Sequence, residues 1–77
     1  MPSAYVLINC DLGSENSIMK EITGLDGVKK VEQVQGVYDL IISVESDSME
    51  RLKEAITWKI RRMPKVRSTV SLIVLET

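Results

Sequence analysis

The chain has 77 residues, 44% of them hydrophobic, a formal net charge of -1, no His and one Cys. A lone Cys excludes an internal disulfide, and without His a zinc site would need mostly carboxylates. The charge balance gives no whole-chain nucleic-acid signature, no apolar run approaches the ~20 residues of a membrane span, and no basic-then-apolar leader opens the chain. The expectation is one cytoplasmic domain over residues 1–77, with Cys10 reduced and no metal or cofactor. A domain this small has a thin stability margin from its own core, so self-association is the expected remedy.

Ala4 to Cys10 is rich in β-branched and aromatic residues and reads as a strand. Asp11-Leu12-Gly13-Ser14 breaks it, and Ser14 is placed to cap a helix. Ile18, Ile22 and Leu25 then recur at helical spacing, with Met19 flanking, until Gly24 and Gly27 end the helix. Val28 to Gln35 reads as a second strand with a fault. Its valines fall every third residue, which a bulge or an edge position would reconcile. Gly36 and Val37 are expected to turn the chain into a third strand, Tyr38 to Val44.

Asp47 with Glu50 three residues on resembles a capping box. Met49, Leu52, Ile56, Ile60 and Met63 follow on one narrow helical face. Pro64 stops that helix, and Val66 to Glu76 reads as a fourth strand. The order βαββαβ predicts an α+β, ferredoxin-like fold: a four-stranded antiparallel sheet with both helices on one face. The strands are apolar on both sides, whereas a sheet with one wet face should alternate. The uncovered face is therefore expected to pack on a second copy, a dimeric α/β-barrel-type association with Leu7, Ile41 and Ile73 as interface candidates.

Little in the chain supports catalysis. No His can act as a base, Cys10 has no evident activating partner, and no phosphate-binding glycine pattern occurs. RNA recognition on this fold stacks bases on strand aromatics, and here Tyr5 and Tyr38 are the only strand aromatics. Lys53, Lys59, Arg61, Arg62, Lys65 and Arg67 form a basic cluster. It serves either the helix C-terminus or an anionic partner. Trp58 is expected to point away from the apolar helix face, among arginines, as a stacked surface aromatic or a contact between dimers. Asp39, at the start of an apolar strand, either stabilises the Gly36 turn or faces a ligand.

Val28-x-x-Val31, Gly36-x-Tyr38-Asp39-Leu40 and Met63-Pro64-x-Val66-x-x-Thr69-x-Ser71-x-Ile73-Val74-Leu75 together resemble the effector-binding half of Lrp/AsnC transcription regulators, the RAM domain. The likeness covers nearly the whole chain. It implies dimers that pair through sheet faces, rings of dimers, and an amino-acid effector held between dimers. Carried over by position, the ligand-binding residues would be Gly36, Tyr38, Asp39, Thr69 and Ser71. The family commonly has Pro-Gly where this chain has Pro64-Lys65, and Thr-x-Thr where it has Thr69-Val70-Ser71, which leaves ligand preference open. The first strand starts at Ala4, so a stand-alone form without the DNA-binding helix-turn-helix is expected. It would bind no nucleic acid itself and would act by co-assembling with a full-length regulator. The alternatives are a small ferredoxin-like dimeric enzyme, such as a monooxygenase or isomerase, and a structural adaptor docking through Trp58.

Overall fold

A computed structural model describes residues 1–75. Its elements are β1 (Ser3–Cys10), α1 (Glu15–Thr23), β2 (Val28–Gln33), β3 (Leu40–Glu45), α2 (Met49–Glu54), a π-helical continuation of α2 (Ala55–Ile60) and β4 (Val66–Ile73). The expected βαββαβ order is therefore present. Glu76, the expected end of the fourth strand, lies outside the described residues. The strands align in the order β2-β3-β1-β4 with every neighbouring pair antiparallel. This is the ferredoxin-like arrangement. Among the described residues, no helix is long and apolar enough to cross a membrane.

One face of the sheet carries the core. Ala4, Val6, Ile8 and Cys10 alternate inward from β1, and Leu40, Ile42 and Val44 do so from β3. Ile18 and Ile22 of α1 and Leu52, Ile56 and Ile60 of the second helical segment close over them; the helical face expected to reach Met63 ends at Ile60, and Met63 packs from the turn beyond it. Fully burying an aliphatic side chain contributes roughly 1.5–3 kcal/mol, so these two helical stripes and the two central strands carry most of the stability.

The period-three valines of the second strand have the expected cause. Val28 pairs with Val44 and Lys30 with Ser43, so Lys29 is an extra residue at a bulge on an edge strand. Gly27 precedes it at φ +89, and a Cβ there would lie 2.6 Å from the Glu45 carbonyl oxygen. Only glycine fits that approach.

Three further expectations change. Ser48, not Asp47, caps α2: its side chain accepts from the Arg51 N–H at 3.2 Å, while Asp47 pairs with the Arg51 guanidinium at 3.7 Å. The Ser14 side chain makes no cap bond; it donates to the Asp11 carbonyl instead, a turn that starts α1. The β2–β3 connection is also longer than a tight Gly36-Val37 turn and spans residues 34–39. The Val34 N–H still donates to the Asp39 carbonyl at 2.9 Å, but the Asp39 N–H donates to Ile8 of β1 at 2.9 Å. Asp39 is thus shared between two strands before β3 begins at Leu40.

Leu52, Ile56 and Ile60 are all buried, although a spacing of four drifts about 40° per step on an α-helix. The π-helical stretch removes that drift. Its turns close from i to i+5, as in the Arg61 N–H to Ile56 carbonyl bond at 3.1 Å. Met49 at the front of the stripe is 37% exposed and stands at the edge of the core.

Candidate ligand-binding site

The expected ligand residues fall into two groups. Gly36, Tyr38 and Asp39 lie in the 34–39 loop beyond the ends of β2 and β3. Gly36 is at φ +144 with open space where a Cβ would stand, so backbone conformation rather than crowding requires glycine there. Tyr38 and Asp39 are half-buried. Asp39 Oδ2 accepts from the Cys10 N–H at 2.9 Å.

Thr69 and Ser71 sit on β4, opposite Ile8 and Val6 of β1. Directly paired residues share a face, so both hydroxyls belong to the helix side of the sheet. They line a groove of about 370 Å3 with Ile73, Ile56, Lys53 and Arg61. Asp39 flanks β1 from the β3 side and Thr69 from the β4 side, two strand spacings or about 10 Å apart. One subunit therefore does not bring the two groups together.

Cys10 adjoins the first group. Burial pushes its thiol above the ordinary value of 9.0; the neighbouring Asp39 carboxylate adds to the shift, and a hydrogen bond with Ser14 opposes it. Such a thiol is a poor nucleophile at neutral pH.

The expected interface residues divide as well. Leu7 pairs with Ile41 on one side and Val70 on the other, and Tyr5 pairs with Leu72. Together they form an apolar strip on the face opposite the helices, where Tyr5 is 47% and Leu72 50% exposed. Ile73 does not belong to this strip. It pairs with Ala4 and packs against the core on the helix side. The β4 residues that do belong are Val70 and Leu72. Trp58 is 61% exposed, with the Arg62 guanidinium 5.1 Å above its ring, a cation–π pair on the outer helix surface.

Lys53 and Arg61 were legible only as members of a basic cluster. Their common groove with Thr69 and Ser71 depends on the π-helical stretch, whose sequence signal is the four-residue spacing of Leu52, Ile56 and Ile60.

Residues 3–77 match the Lrp/AsnC ligand binding domain. Among solved structures, FFRP-DM1 superposes with a TM-score of 0.94 at 36% identity, covering 97% of this chain and 100% of that one. The hypothetical protein PHS023 from Pyrococcus horikoshii gives 0.93 at 35% identity, covering 100% and 93%. Escherichia coli AsnC gives 0.89 at 25% identity, covering 99% of this chain and 52% of that one. Among curated proteins, homocitrate synthase from Saccharolobus islandicus is 30% identical over 74 residues. That match takes in 95% of this chain and 16% of the synthase.

Proposed function

The chain belongs to the Lrp/AsnC ligand binding domain family, and from that premise we propose that it is a non-enzymatic, cytoplasmic amino-acid-binding module that works as an oligomer. In this reading two copies pair through the apolar strip of Tyr5, Leu7, Ile41, Val70 and Leu72. Dimers then assemble further, and the ligand is held where Gly36, Tyr38 and Asp39 of one copy meet Thr69 and Ser71 of another. The module modulates a full-length Lrp/AsnC-type regulator by joining its assembly.

The observation that carries this reading is the split of the polar groups. An amino acid presents an ammonium and a carboxylate on one carbon, and no single subunit offers Asp39 and the β4 hydroxyls at that spacing. A site completed between copies reconciles the chemistry with the fold. Asp39 then accepts from the ammonium, a charge-assisted bond of about 1.5–3 kcal/mol. Backbone N–H groups around Gly36 take the carboxylate, because a glycine turn lets a ligand approach closely. Thr69 and Ser71 supply hydroxyls. The match to one sixth of a synthase supports a unit that travels as a module beside different partners. Isothermal calorimetry of the assembled protein across the twenty amino acids tests the reading. Absence of binding by all of them, in a folded oligomer, rejects it.

A second reading rests on Trp58. An exposed Trp under an Arg is the composition of an interface anchor, which suits an adaptor. Trp58→Ala that changes assembly size while ligand affinity stays constant assigns the residue to assembly.

A further inference from the structure

Lys53 and Arg61 stand eight positions apart in sequence yet line one groove. Eight residues of α-helix would leave them ~80° apart around the axis. The wide i to i+5 turns of Ala55–Ile60 advance less per residue and reduce that offset. The floor of the groove is apolar, from Ile56 and Ile73, and its β4 wall carries the Thr69 and Ser71 hydroxyls. Arg61 and Thr69 also line an adjoining groove of about 250 Å3 with Arg67 and Ser68.

The charge of this furrow is one-sided. Among the described residues no carboxylate lines either groove. Lys53 and Arg61 make no ion pair among them, while Arg67 pairs with Asp11 at 3.8 Å. A neighbouring cavity, on the other side of the same helical segment, mixes Asp26, Glu45, Asp47 and Glu54 with Lys29, Arg51 and Lys59. In a chain with 10 cationic and 11 acidic residues, a furrow whose charged lining is entirely cationic, beside hydroxyls and an apolar floor, is a local selection for anions.

We infer that this furrow is the selectivity end of the amino-acid site and that it favours an amino acid with a second carboxylate. The inference rests on the amino-acid reading above, since Thr69 and Ser71 serve both. With its α-groups at those hydroxyls and at Asp39 of a neighbouring copy, the ligand extends its side chain over Ile56 and Ile73. The distal carboxylate then meets Lys53, a point charge, and Arg61, whose planar fork matches a carboxylate. A carboxamide of the same shape fills the groove and accepts hydrogen bonds but lacks the charge, so the pair glutamate and glutamine isolates the electrostatic contribution.

Calorimetry on the assembled full chain with L-glutamate, L-aspartate, L-glutamine and L-asparagine tests this. The expected result is acidic ligands bound about tenfold or more tighter than their amides, a ratio that shrinks with added salt. Lys53→Gln and Arg61→Gln lower the ratio toward one by weakening the acidic ligands, and Lys53→Arg with Arg61→Lys keeps it above one. Equal binding of acids and amides, or binding confined to other amino acids, overturns the furrow's role and leaves the amino-acid reading standing. A preference for acids that survives both Gln substitutions also overturns it. Absence of binding by all twenty amino acids rejects both.

Discussion

The Asp39 side chain grips the backbone of Cys10, its Oδ2 accepting from the Cys10 N–H at 2.9 Å. Two residues earlier on β1, the Ile8 carbonyl accepts from the Asp39 N–H, also at 2.9 Å. Asp39 thereby extends the pairing of β1 with β3 beyond Leu40 and pins the 34–39 loop to the sheet. The proposed ligand role and the structural role meet in one carboxylate, and two substitutions separate them. Asp39→Ala removes the acceptor and leaves a part-buried N–H unsatisfied, which costs about 1–3 kcal/mol of stability. Asp39→Asn keeps an acceptor oxygen, so its melting should stay near that of the unsubstituted chain while amino-acid binding falls at least about tenfold, the loss of one charge-assisted bond. Chemical denaturation and calorimetry on the two variants check this. Equal binding by the unsubstituted chain and Asp39→Asn would confine Asp39 to the fold.

The π-helical register makes a stability prediction. Ile60 is 1% exposed and Met49 37%. Ile60→Ala should destabilise by about 2–5 kcal/mol, a core truncation with a cavity. Met49→Ala should cost under about 1 kcal/mol, as expected near a surface. Urea melts of the two variants decide it; similar losses would mean that the stripe does not follow the wide-turn register.

Much of this architecture can be read from the residues, because local chemistry and global fold agree there. The strand boundaries follow β-branched runs, and the valine spacing of β2 announces the bulge at Lys29. Other features depend on partners distant in sequence. Whether Asp47 or Ser48 caps α2 turns on a single Arg51 N–H, and a pattern of S/T/D followed by Glu cannot separate neighbours. The strand-four alternation gives two faces, but which one bears Ile73 depends on pairing with Ala4. The 34–39 loop is longer than its glycine suggests because Asp39 bonds to β1, a contact 29 positions back in the chain. The π-helical stretch is latent in Leu52, Ile56 and Ile60, whose spacing an α-helix cannot keep on one line. The candidate site is legible as a residue set and not as a place, since its two groups lie on opposite flanks of β1.

The open sheet face predicts assembly behaviour. Leu72→Lys or Leu7→Lys places a charge in the apolar strip and should shift the protein toward monomer while its far-ultraviolet circular dichroism is retained. Ile73→Ala should instead lower stability through lost core packing. Sedimentation velocity and thermal melts on these variants test the assignment; a dimer that survives both lysine substitutions would place the interface elsewhere.

The Cys10 thiol gives a pH signature. Its pKa in the folded chain is raised, chiefly by burial, so the unfolded chain releases this proton first. The contribution to stability is fully present below the unfolded value and is lost as pH rises through the folded one. The fall therefore begins near the ordinary value of 9.0 and continues above it. Native Cys10 should react with iodoacetamide at pH 8 more slowly than the same residue in urea-unfolded chain. A native rate equal to the unfolded one would show an accessible, activated thiol.

The proposed dependence of amino-acid binding on the assembly of copies is open to one comparison. Calorimetry with the twenty amino acids is run on the unsubstituted chain and on Leu72→Lys, with the assembly state of each measured at the same concentration. Binding by the oligomer and its loss in a folded monomer are the expected results. An equally tight ligand on the folded monomer, or a folded oligomer that binds none of the twenty, contradicts the proposal.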